Sequence, residues 1–99
     1  MRSTTVTLHF AELLLALLKG KMNLLDALRI LGHKDIERPI RDSVLSLLAK
    51  MKKGRGFSES LRVTREGRVL FESLYLALIA AAESTGSIET VLEYIVIDL

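Results

Sequence analysis

The chain is 99 residues with 14 basic and 12 acidic residues, a formal net charge of +2, and 49% hydrophobic content. That balance describes a folded domain and argues against disorder. The absence of cysteine excludes disulfides, thiolate metal sites, redox motifs and thiol nucleophiles, and a charge this balanced gives no reason to expect nucleic-acid binding.

The elements follow in chain order. Thr7 is the expected N-cap of a first helix running to about Leu18, with Gly20 as its stop. Apolar residues surround most of this helix, which predicts extensive burial. Asn23 caps a second helix, with Asp26 three residues on, an inner face of Leu24, Leu25, Ala27, Leu28 and Leu31, and Gly32 at its end. A third helix begins at Asp35 or Arg38, with Pro39 in its first turn. Its stripe is Ile40, Val44, Leu47, Leu48 and Met51, and Lys50, Lys52 and Lys53 suit the negative end of its dipole. Gly54 and Gly56 mark a turn before a short fourth helix, about Phe57 to Val63.

The fifth helix is expected from about Gly67 to Ser84, apolar nearly all round and therefore central. Thr85 and Gly86 break it. Ser87 is the expected cap of a sixth helix carrying Ile88, Val91, Leu92, Ile95 and Val96. The β-branched tail from Tyr94 to Ile97 also reads as a strand, but its spacing continues the helical stripe. The expected fold is all-α, a compact six-helix bundle of antiparallel helices forming a single domain over residues 1–99.

No segment is long enough to span a membrane. The longest apolar run, Leu74 to Ala82, is nine residues, or about 13 Å of helix against about 30 Å of hydrocarbon. The N-terminus shows no leader pattern, so the domain is expected to be soluble and to face the cytoplasm.

Chemistry is sparse. His9 and His33 lack metal-ligand spacing. Lys53-Gly54-Arg55-Gly56 has glycines and cations but follows a helix, unlike a phosphate loop. Glu83 and Glu89 flank the Thr85-Gly86 turn. They are candidates for a weak calcium or magnesium site, against a structural reading in which Glu83 satisfies backbone groups at the turn and Glu89 complements a helix N-terminus. Neither a catalytic residue nor a cofactor is expected.

Basic residues gather as Lys50, Lys52, Lys53, Arg55, Arg62, Arg65 and Arg68, opposed in that stretch only by Glu59 and Glu66. Such an edge suits an acidic partner or anionic lipid, or is simply a solvated surface.

Three blocks together resemble one family. The first is Phe10-Ala-Glu-Leu-Leu14-Leu-Ala-Leu17-Leu18-Lys-Gly20 followed by Leu24-Leu-Asp-Ala27-Leu28. The second is Gly54-Arg-Gly-Phe57-Ser58-Glu59-Ser-Leu61. The third is Phe71 with Ala82-Glu83-Ser-Thr85-Gly86-Ser-Ile88-Glu89-Thr-Val-Leu92. The chain resembles the cytoplasmic domain of the type II secretion F proteins, the inner-membrane platform proteins of type II secretion and type IV pilus machines. Ala82 stands where that family often has Gly, Gly56 and Ser60 where Ser and Ala are usual, and Glu72 where Pro is common. The resemblance implies a non-catalytic six-helix bundle, part of a larger membrane-embedded protein. It implies contact with the secretion ATPase and other inner-membrane machine components, transmission of motion to pilin subunits, and homo-oligomers, with no nucleic-acid partner. It marks Gly20, Gly54, Glu83, Thr85 and Gly86 as its structural motif. A generic helical adaptor or dimerisation domain is the alternative. A helix-turn-helix DNA binder using the Lys50 to Arg68 region is a third reading, and it requires salt-sensitive, sequence-selective affinity.

Overall fold

Helix α1 spans Thr4–Lys19, in a computed structural model that describes residues 4–64 and 70–99. Thr7, Phe10, Ala11 and Leu14 form its buried stripe, at the spacing that puts side chains on one helix face. Thr7 is thus not the N-cap. The helix starts a turn earlier, and the Thr7 hydroxyl donates to the Leu70 carbonyl at 2.5 Å, a contact 63 residues away in sequence. A buried hydroxyl needs an acceptor, and here the tertiary fold supplies one. The far end of α1 closes in a Schellman motif. The Met22 amide donates to the Leu17 carbonyl and the Lys21 amide to Leu18. Gly20 precedes the left-handed position, which is occupied by Lys21 at φ 71°.

Helix α2 is Leu24–Leu31, capped by the Asn23 side chain, which accepts from the Asp26 amide at 2.9 Å. Ala27, Leu28 and Leu31 are buried, whereas Leu25, expected inside, faces out. Helix α3 is Arg38–Lys52 with Pro39 in its first turn. Ile40, Val44 and Leu47 enter the core while Leu48 and Met51 pack half-buried at its margin. Helix α4 is Phe57–Val63, anchored by Phe57 and Leu61.

Helix α5, Ser73–Thr85, starts later than expected. Glu72 is extended at φ −76° and ψ 171°, so no helix passes through it. Residues 67–69, where the sequence suggested its start, lie outside the described residues. Nor is α5 wholly enclosed. Tyr75, Ile79 and Ala82 are buried, but Leu74, Ala77, Ala80 and Ala81 are exposed. Small apolar residues do not oblige burial, and a helix with packed neighbours on one side buries only one stripe. Helix α6, Ile88–Asp98, is helical through the β-branched tail, with Leu92 and Ile95 inside. No strand occurs among the described residues.

The six helices form a closed ring. Each packs on the next in sequence, and α6 returns to pack on α1. Helix α1 also touches α3 across the ring. The hairpins α2–α3 and α5–α6 therefore occupy opposite sides, separated by α1 on one flank and α4 on the other. Extents of 29 × 28 × 27 Å follow from this arrangement, since the longest helix is only about 24 Å. Phe10, Phe71 and Tyr75 fill the centre, with ring centroids 5.5 Å and 6.5 Å apart. The Tyr75 hydroxyl donates to the Asp98 carboxylate, tying α5 to the end of α6. That hydrogen bond, burial, and the negative charges of Asp98 and Glu72 together push the Tyr75 pKa up to about 12.

Candidate functional site

The turn after α5 is built by Gly86. At φ 74° it adopts the left-handed conformation that glycine enters without steric cost. Its amide and that of Ser87 both donate to the Ala82 carbonyl, as does the Thr85 hydroxyl at 3.2 Å. Thr85 Oγ1 also lies 2.8 Å from Ser87 Oγ. Ser87 stands at the N-cap position of α6 but makes no side-chain cap bond. Its hydroxyl pairs with Thr85 instead.

Glu83 sits one turn back and reaches across to α4. Oε2 accepts from the Phe57 amide at 2.8 Å. Oε1 accepts from the Ser58 hydroxyl at 2.5 Å and from the Ser58 amide at 3.3 Å. The N-cap residue of α4 is Gly56, which has no side chain to offer. A Cβ at Gly56 would lie 3.1 Å from Glu83 Oε2, so the glycine leaves space for the carboxylate. Glu83 thus supplies the acceptors that the first amides of a helix require, and places negative charge at the positive end of α4. The second and third sequence blocks meet at this contact.

Both Glu83 oxygens are taken up by α4, and Glu89 is exposed in the first turn of α6. Among the described residues, no three His, Cys, Asp or Glu side chains converge as a metal site. His9 pairs with Glu37, and His33 lies 3.4 Å from Asp35. Both are exposed surface pairings.

The basic edge occupies the end of α3 and the turn after it. Lys50 is half-buried, and Lys52, Lys53 and Arg55 are exposed. Gly54, at φ 96°, lets the chain reverse between them. Arg55 pairs with Glu59 at 3.3 Å, one turn along α4, and Arg62 is exposed in the last turn of α4. Arg65 and Arg68 lie outside the described residues. Beside the edge runs a groove of about 460 Å³, lined by Leu25, Leu48 and Met51 with Arg29, Lys52 and Arg55. Sequence reasoning missed this groove. Leu25 was assigned inward, and Arg29 belongs to a segment distant in sequence from the other cations. Across the molecule, Leu74, Leu78, Thr90, Val91 and Tyr94 line an apolar hollow of about 290 Å³ between α5 and α6.

The helix order, the Glu83 contact and the lack of a catalytic constellation suit a domain that works by contact. A family described as Type II secretion system (T2SS), protein F, matches residues 10–99. The chain belongs to that family. The matched stretch opens at the core residue Phe10 and includes both halves of the Glu83 contact. No curated protein matches the chain. Family membership makes the domain a component of a secretion machine, within a structural platform family that is generally non-catalytic. No helix among the described residues is long and apolar enough to cross a membrane.

Proposed function

We propose that this F-family chain is the cytoplasmic domain of an inner-membrane platform protein for type II secretion or type IV pilus assembly. It couples the secretion ATPase to assembly of pilin-like subunits by protein–protein contact, as part of a larger membrane-embedded, homo-oligomeric protein. The family match over residues 10–99 carries this reading. The basic edge of Lys50, Lys52, Lys53 and Arg55 supports it by offering an exposed surface for an acidic partner. Rim charges of this kind act mainly on association rate and salt dependence.

The test is titration of the domain with the ATPase encoded by the same genome. The wild-type chain should bind with salt-sensitive affinity. Charge reversal at Lys52, Lys53 and Arg55 should weaken binding about tenfold or more while leaving the melting curve in place, since about 1.4 kcal/mol gives that factor. Absence of wild-type binding would remove the ATPase from the proposal. Unchanged binding by the reversed variant would reassign the basic edge to plain solvated surface.

A further inference from the structure

Charge is divided unequally around the ring of helices. Residues 24–56, which contain the α2–α3 hairpin, carry eight Lys or Arg against four Asp or Glu. Residues 70–99, which contain the α5–α6 hairpin, carry five acids and no Lys or Arg. Both hairpins also expose large apolar side chains. Leu25 and Leu45 are 39% and 48% exposed on the basic side. Leu74, Tyr94 and Ile97 are 56%, 48% and 84% exposed on the acidic side. Tyr94 and Ile97 are three apart on α6 and share a face.

We infer that this chain binds a second copy of itself head to tail, the α2–α3 groove of one copy receiving the α5–α6 face of the next. The two surfaces lie on opposite sides of one copy, so the contact is heterologous and leaves each end of a pair free to continue. Apolar area supplies the attraction and charge selects the pairing. The acidic face against itself sets like charges together, as does the basic groove against itself. Only the crossed pairing brings opposite signs together. Arg29 and Arg55 in the groove already hold Asp26 and Glu59 at 3.2 Å and 3.3 Å. Lys52 has no acidic partner among the described residues and is the groove cation most available to an incoming acid. On the opposite face Glu93 holds Lys19 of α1 at 3.0 Å, while Glu89 and Asp98 are exposed. This inference deepens the platform reading by naming one partner. It rests on the surfaces themselves and not on the ATPase contact.

Sedimentation velocity on the 99-residue chain tests it, using two variants with substitutions at surface positions. Leu25→Glu with Lys52→Glu blocks the groove. Leu74→Lys with Ile97→Lys blocks the acidic face. The wild-type average mass should rise past the dimer with concentration at low salt and fall back at high salt. Each variant alone should remain monomeric. An equimolar mixture should form a dimer that grows no further, because only one competent groove and one competent face remain per pair. A wild type that stays monomeric at every concentration in low salt overturns the inference. So does either variant that still self-associates, since one face would then pair with itself. Should a double variant fail to fold by circular dichroism, Lys52→Glu and Ile97→Lys alone replace the pairs, and the wild-type salt dependence stands as an independent readout. A monomeric wild type that nevertheless binds the ATPase overturns the head-to-tail contact and leaves the platform reading in place.

Discussion

Replacing Glu83 by Ala removes the acceptor for two backbone amides and one hydroxyl at the start of α4. A conventional N-cap side chain contributes about 0.5–2 kcal/mol, and a hydrogen bond to a charged group about 1.5–3 kcal/mol. Glu83 is exposed, so water re-solvates part of what is lost and solvent screens the charge. The expected loss is about 1–2 kcal/mol. For a domain of this size each kcal/mol shifts the melting midpoint by about 4–8 °C. Thermal melts followed by far-UV circular dichroism should therefore show Glu83→Ala melting about 5–15 °C lower, with Glu83→Gln between it and the wild type because one acceptor oxygen remains. The contact also predicts coupling. Gly56→Ala places a Cβ 3.1 Å from Glu83 Oε2, so it should destabilise the wild type and become neutral or favourable in the Glu83→Ala background. Ser58→Ala should likewise cost less once Glu83 is gone. A Glu83→Ala midpoint shift no larger than that of an ordinary surface substitution, within about 0.5 kcal/mol, would refute the capping role. Strict additivity with both neighbours would do the same.

Ser60 should tolerate loss of its hydroxyl. Its Oγ is buried without a hydrogen-bond partner, and such a group costs about 1–3 kcal/mol. Ser60→Ala is expected to raise the melting midpoint, and a lower one would mean the hydroxyl has a favourable role. Lys21→Gly should stabilise by about 0.5–1 kcal/mol, because a left-handed non-glycine residue is strained at that Schellman position. Denaturant midpoints would measure it, with no gain as the contrary result. Gly86→Ala should cost about 1 kcal/mol by the same logic reversed. No atom lies within 4 Å of the added Cβ, so the cost would come from backbone conformation alone, and Gly86→Asn should recover part of it. Tyr75 predicts a pH dependence. Its pKa is raised from 10.0 to about 12 in the folded state, so the folded chain holds a proton that the unfolded chain releases. That stability is fully present below pH 10 and is lost as pH rises through about 12. Tyr75→Phe should flatten this alkaline decline. A decline of unchanged slope would assign it to other groups.

Local signals along the chain determined much of the architecture. Asn23, Pro39, Gly54 and Gly86 mark helix boundaries because capping, a fixed φ and left-handed backbone are properties of single residues and their immediate neighbours. The spacing of Ile40, Val44 and Leu47 shows which side of α3 turns inward, since helical periodicity is local too. The three sequence blocks likewise carried the family resemblance, because motif and spacing are one-dimensional. The tertiary structure alone decided the remainder, and in each case the reason is a contact between distant segments. Thr7 looked like a cap until Leu70 provided a buried acceptor. Leu25 and Leu74 are apolar and suit a core, yet they face out because the ring had no neighbour left to cover them. Glu83 is an ordinary surface acid in sequence, and its acceptor role exists only because folding brings the start of α4 to it across 26 residues. The separation of a basic groove from an acidic apolar face exists only once α6 closes on α1. Closure sets the α2–α3 and α5–α6 hairpins on opposite sides of the molecule, an arrangement no local rule of propensity or capping specifies.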